Sequence, residues 1–167
     1  MIGETTNASC APLTLEEVLK AREARASVQQ AWLRRFEQPM VSTTLVWPGE
    51  VKDTPLARQV MAEATDAFSQ LLRKHRWGVS RHDVRFQPTG PEAFWSVAAP
   101  AWMIKHVTAH LEDHHPLGRL WDIDVFCPTS GLIKRSAIRQ PANASFAMRL
   151  PTSVPVCAAI LRMNLRK

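Results

Sequence analysis

Two aspartates two residues apart, Asp122 and Asp124, interrupt the otherwise apolar end of the run HPLGRLWDIDV at residues 115–125. On a β-strand alternate side chains share a face, so these carboxylates point one way while Trp121, Ile123 and Val125 point the other. Two strand rises separate their Cα atoms by roughly 6.5 Å. Carboxylates so placed can share a hard cation such as Mg²⁺, which takes oxygen ligands and leaves positions open for substrate phosphates. Two unpaired carboxylates on a half-buried strand would be costly, and a cation removes that cost. Just upstream, Gly118 permits close backbone approach, Arg119 offers a planar anion clamp and His115 lies near a helix end. A glycine and a cationic side chain ahead of paired aspartates suit metal-assisted phosphoryl or nucleotidyl transfer, with a hydroxyl attacking phosphorus in line. The competing reading is a polar strand face that is solvated or paired with arginine.

Other clusters carry weaker signals. In HLEDHH (110–115), His110 and His114 have the i, i+4 spacing of a helical metal pair. No glutamate directly follows His110, as the zincin motif requires, and histidines near a helix C-terminus are favoured by the macrodipole in any case. Lys52 and Asp53, in PGEVKD, read as loop surface or as a phosphate contact. Arg22 and Arg25 can pair with glutamates on their own helix, each pair contributing only tenths of a kcal/mol.

The elements that must position these groups are legible from caps and periodicity. Thr14 and Glu17 form a capping box, with Leu13 and Val18 as a hydrophobic staple, and good helix formers continue to about Phe36. The stripe at 15, 18, 22, 25, 29, 32 and 36 is apolar at both ends but polar in the middle, at Arg22, Arg25 and Gln29. A helix facing only the core would not interrupt its stripe in this way. MVSTTLVW (40–47) reads as a strand ending at Pro48-Gly49. Thr54-Pro55 starts a second helix, with Leu56, Val60, Ala64, Phe68 and Leu71 as its buried face and Gly78 as its stop. Strands at about 79–87 and 93–99 flank a turn at PTGPE. A third helix spans about 101–113, with Met103, Val107 and Leu111 inward, and GRLWDIDVF is the last strand. After the first helix the order is βαββαβ, which predicts an α+β fold: a ferredoxin-like sheet with helices on one face, preceded by an N-terminal helix.

Bulk properties narrow the function classes. A chain of 167 residues is one domain with room for a core. There is no apolar run long enough to span a membrane and no signal-peptide pattern at the start. Cys10, Cys127 and Cys157 are too few and too scattered for a disulfide framework or a zinc site, so a cytoplasmic protein is expected. The formal charge of +6 invites a nucleic-acid reading, but residues 131–167 hold seven basic and no acidic side chains. Residues 1–130 hold fourteen basic and fifteen acidic ones, a net of −1, so the body does not read as a nucleic-acid surface. The expected organisation is a domain at 1–135, with 1–12 a loose leader, and an atypical basic tail at 136–167.

Four segments together resemble a known family: LEEVLKAREARASVQQAWL (15–33), PMVSTTLVWPGEVKD (39–53), TGPEAFWSVAAPA (89–101) and LEDHHPLGRLWDIDVFCP (111–128). In this order they are similar to the apo-citrate lyase phosphoribosyl-dephospho-CoA transferases, also called holo-citrate lyase synthases. HPLGRLWDIDV is the most specific part. The resemblance implies transfer of the prosthetic group of 2′-(5-triphosphoribosyl)-3′-dephospho-CoA to a serine of the acyl carrier (gamma) subunit of citrate lyase, with release of diphosphate. The partner brings the nucleophile, so none is needed in this chain. The roles then expected are Mg²⁺ on Asp122 and Asp124, and triphosphate neutralisation by Arg119 with Lys52 and His115. Arg22 and Arg25 would contact substrate phosphates or the carrier. The related modification of a malonate decarboxylase carrier fits the motif less well.

Beyond about Pro141 the resemblance stops. The family pattern Arg-Arg-Cys-Leu-x-Cys is replaced by PANASFAMRLPTSVPVCAAILRMNLRK. A reading-frame shift close to Ala142 and genuine divergence both account for this, and the coding DNA distinguishes them. The alternatives to an active enzyme are an impaired paralogue that only binds the acyl carrier and a nucleic-acid binder acting through the basic tail.

Overall fold

In the computed structural model, residues 13–133 are described, so the expected leader and basic tail lie outside the described residues. The first helix, α1 (Leu15–Phe36), begins as the capping box demands. Thr14 Oγ1 accepts from the Glu17 amide at 3.2 Å, and Glu17 Oε2 accepts from the Thr14 amide at 2.8 Å. Such caps stabilise a helix start by about 1 kcal/mol. β1 (Met40–Leu45) follows, then α2 (Pro55–His75), where Thr54 Oγ1 accepts from the Ala57 amide at 3.0 Å. α2 stops three residues earlier than Gly78 suggested, because Arg76 takes the left-handed conformation (φ 54°) and closes the helix.

β2 (Gly78–Gln87) and β3 (Gly90–Ala98) form a hairpin, with Gly90 at φ 109° just after the turn. α3 (Ala101–His114) leads to a short 3₁₀ turn at Gly118–Leu120, and β4 (Trp121–Cys127) follows. GRL is therefore a tight turn, not the first part of the last strand. A two-residue strand, β5 (Gly131–Leu132), is an addition to the expected set.

The strands lie in the order β2-β3-β1-β4-β5 with every pairing antiparallel, so the expected α+β class holds. β1 is central: Val41 is opposite Trp95 and Val125, and Ser42 is opposite Phe94 and Asp124. This register divides the sheet into two different faces. One carries Val41, Trp95, Val97, Trp121, Ile123 and Val125 into a core completed by Val60, Met61, Ala64, Phe68 and Leu72 of α2 and Ile104 of α3. Phe68 meets Trp95 edge to face, with centroids 4.9 Å apart. Leu56, expected on α2's buried face, is 55% exposed, because the buried stripe of that turn runs through Ala57, Val60 and Met61 instead.

The other face is covered by α1. Gln29 Nε2 donates to Ser42 Oγ at 3.2 Å, Arg25 reaches Glu92, and Trp32 lies against Phe94 with centroids 6.1 Å apart. α2 and α3 thus share one side, as expected, and the N-terminal helix takes the opposite side. None of α1's residues is buried. The polar middle of its stripe is the part that meets this second, polar face.

Candidate active site

The burial of β4 alternates along the strand: Trp121, Ile123 and Val125 are buried, Asp122 is exposed and Asp124 is half-buried. Both aspartates point to the α1 side, as strand alternation requires. Their cross-strand partners on β1 are Thr44 for Asp122 and Ser42 for Asp124. Neither carboxylate hydrogen-bonds or ion-pairs with a described side chain. Burial raises the pKa of Asp124, the neighbouring Asp122 charge raises it further, and Lys105 and Arg25 partly offset both effects. The pair therefore carries an electrostatic cost that a cation would relieve.

One strand further across, Glu92 on β3 is only 2% exposed and is held by Arg25 of α1. Arg25 Nη2 lies 2.6 Å from Glu92 Oε1, and its Nε donates to the same oxygen at 2.8 Å. Glu92 shares its face with Phe94, the partner of Ser42, so this ion pair stands on the aspartates' side of the sheet. β2 continues the face with Arg85, opposite Glu92, whose guanidinium donates to Asp83 at 2.8 Å.

Expected site residues divide by position. Asp122, Asp124 and Arg25 come together on one face. Arg119 is exposed in the turn three residues ahead of Asp122, with no described ion-pair partner. Arg22 is exposed, three positions before Arg25 on α1. Lys52 donates to the Trp47 carbonyl at 2.7 Å, which ties it into the loop after β1. Asp53 accepts both nitrogens of Arg58, at 2.6 and 2.8 Å.

Two residues stand in different surroundings from those anticipated. His115 stacks on Trp121, with centroids 4.3 Å apart, on the core side of β4 and away from the carboxylates. Burial lowers its pKa, partly offset by Glu63, which favours the neutral imidazole. Gly118 is needed for close approach, but what approaches is α3: a Cβ there would lie 2.2 Å from the Glu112 carbonyl oxygen. His110 and His114 stack face to face, with centroids 3.9 Å apart, and His114 Nδ1 is spent on the His110 carbonyl at 2.9 Å.

Among the described residues, no group of three or more His, Cys, Asp or Glu side chains is arranged to hold a metal. An ion on Asp122 and Asp124 would take its remaining oxygens from water and phosphate, which is Mg²⁺'s usual habit in phosphoryl-transfer sites. The two carboxylates, neither with a described hydrogen-bond or ion-pair partner, fit that demand. Sequence reading missed Glu92, hidden in a segment read as a turn, and Lys105, a lysine only 6% exposed on α3. No helix among the described residues is long and apolar enough to cross a membrane.

An α+β domain with an acidic pair on the α1 side of its sheet, one carboxylate exposed and one half-buried, is the class that the structure defines. Comparison with known sequences gives that class a family. The family profile described as apo-citrate lyase phosphoribosyl-dephospho-CoA transferase matches residues 13–146. A protein of that name from Escherichia coli O7:K1 is 36% identical over 146 residues, covering 87% of this chain and 79% of the relative. Another, from Citrobacter koseri, is 38% identical over 131 residues, covering 78% and 72%. The chain belongs to the apo-citrate lyase phosphoribosyl-dephospho-CoA transferase family. The matched span takes in the whole sheet, both aspartates and the Arg25–Glu92 pair.

Proposed function

We propose that this protein transfers the prosthetic group from 2′-(5-triphosphoribosyl)-3′-dephospho-CoA to a serine of the acyl carrier subunit of citrate lyase, in the cytoplasm. The serine oxygen bonds to the α-phosphorus, the bond from that phosphorus to the β-phosphate's bridging oxygen breaks, and diphosphate leaves. The serine proton passes to solvent. The observation that carries the reading is the pair Asp122 and Asp124, sharing one face of β4 without a described partner, in a chain of this family.

Asp122 and Asp124 would hold Mg²⁺, which supplies Lewis-acid polarisation of phosphoryl oxygens when bound. The chain's own residues bind and orient. Arg119, exposed beside the pair, is free to take a phosphate oxygen bidentately. Lys52 adds positive charge from the loop after β1. Arg25, set against Glu92 and close enough to Asp124 to affect its ionisation, holds α1 over the face. Gly118 seats the turn that presents Arg119.

Incubating the full chain with apo-carrier, the triphosphoribosyl precursor and Mg²⁺, followed by mass spectrometry of the carrier, tests the reading. The expected result is a carrier heavier by the transferred group with wild type and unmodified carrier with Asp122→Asn or Asp124→Asn. Equal modification by both variants would overturn the assigned roles, and no modification by wild type would overturn the activity.

A further inference from the structure

β4 is the last long strand of the sheet, and its outer edge is nearly bare. β5 pairs only with Phe126 and Cys127. At Ile123, the residue between the two aspartates, both backbone groups point outward and would be left to water or go unmet. α3 meets both. The Ile123 amide donates to Glu112 Oε1 at 2.8 Å, and Lys105 Nζ donates to the Ile123 carbonyl at 2.6 Å. Positions 105 and 112 lie seven apart, two turns along one helix face, so the two side chains converge on the backbone of a single residue, gripping the peptide units on either side of its Cα.

The cost of the arrangement is informative. Lys105 is 6% exposed, and a buried ammonium is tolerated only where charge or hydrogen bonds compensate it. A solvated threonine or a water could satisfy one edge carbonyl at far lower cost.

We infer that Lys105 and Glu112 are positioning residues, a clamp from α3 on the backbone at Ile123 that fixes the spacing and direction of the Asp122 and Asp124 carboxylates for a divalent cation. The inference rests on the proposed reading that this pair binds the cation. Groups that orient metal-binding carboxylates typically change affinity or activity by about 10- to 100-fold when removed.

The test measures Mn²⁺ binding to the full chain, without substrate, by the electron paramagnetic resonance signal of free Mn²⁺. Lys105→Met and Glu112→Met remove the two contacts and should weaken binding by about 10- to 100-fold. Lys105→Arg keeps a donor and Glu112→Gln keeps the accepting Oε1, so both should stay close to wild type. Loss in the Met variants with rescue in the conservative ones is the signature of positioning, which a general loss of packing would not give. Wild-type affinity in a folded Lys105→Met variant overturns the inference; if that variant does not fold, the Glu112→Met and Glu112→Gln pair decides. Hydrogen exchange on wild type adds a check: the Ile123 amide should be protected despite its edge position, and rapid exchange overturns the clamp. Asp124→Asn separates the two levels. Undiminished Mn²⁺ binding there removes the metal reading and the clamp with it, whereas loss there with full binding in both Met variants removes the clamp alone.

Discussion

Replacing Asp124 by asparagine isolates the electrostatic cost of the carboxylate pair. Burial and the Asp122 charge raise the Asp124 pKa, so the folded chain holds this proton more tightly than the unfolded chain does. By linkage, the ionised carboxylate then costs stability: the penalty grows as pH rises from the ordinary carboxylate range through the raised value, and it is fully present at neutral pH. Two unit charges roughly 6.5 Å apart repel by ~0.6 kcal/mol at the dielectric constant of water and by ~2.5 kcal/mol at an effective value near 20. Asp122 is exposed, which pulls the figure toward the lower end; partial burial of Asp124 pulls it back, and about 1 kcal/mol is a reasonable expectation. Asp124→Asn should therefore melt ~2–4 °C above wild type in cation-free buffer at neutral pH. Adding Mg²⁺ should reverse the order, because only the wild type gains from binding, by about 2.7 kcal/mol at a hundredfold excess over the dissociation constant. Thermal melts with and without the cation are sufficient. An asparagine variant that melts below wild type without cation would refute the reasoning, since it would mean that the native carboxylate is compensated within the protein. Equal cation shifts in both proteins would refute it from the other side.

Three further outcomes follow from the same geometry. Gly118→Ala places a methyl group 2.2 Å from the Glu112 carbonyl oxygen, so urea unfolding should show a loss of about 2–3 kcal/mol. Arg25→Met strands Glu92, whose side chain is 3% exposed, and should cost about 3 kcal/mol, the lower end for a broken buried pair because Arg25 itself is 25% exposed. Adding Glu92→Gln to that variant should recover most of the loss in the same unfolding assay. The Cys127 thiol pKa is lowered to about 7, chiefly by the Thr129 hydroxyl. Iodoacetamide labelling followed on the Cys127 peptide should accordingly have its midpoint near that pH, and Thr129→Val should move it up toward the ordinary thiol range.

Local chemistry explains which parts of this molecule could be read from its sequence. The Thr14–Glu17 box and the Thr54-Pro55 start are short-range signals, and both helices begin where those residues place them. The Asp-x-Asp alternation needs nothing beyond a strand, and β4 supplies one. Failures occur where a distant partner decides. GRL carries strand-like residues, yet Gly118 is pressed onto α3's backbone and the segment turns. Glu92 looked like part of a polar turn because the arginine that makes its burial tolerable lies 67 positions away. Lys105 was invisible for a related reason: α3 packs against both the sheet core and the edge of β4, so more of its circumference is buried than one apolar stripe suggests.

The interrupted stripe of α1 connects these observations. A sheet with one apolar and one charged face cannot be closed by identical helices on both sides. The charged face needs counter-ions and hydrogen bonds, and α1 brings Arg25 and Gln29 where a core helix would bring leucines. Such a helix gains little from apolar burial, so its hold on the sheet depends on a few polar contacts and the Trp32–Phe94 ring contact. An apolar residue at Gln29 would remove the hydrogen bond to Ser42, and one at Arg25 would strand Glu92, so these polar side chains are what hold the helix to this face. The interruption of α1's apolar stripe is therefore a consequence of the polar face that it meets.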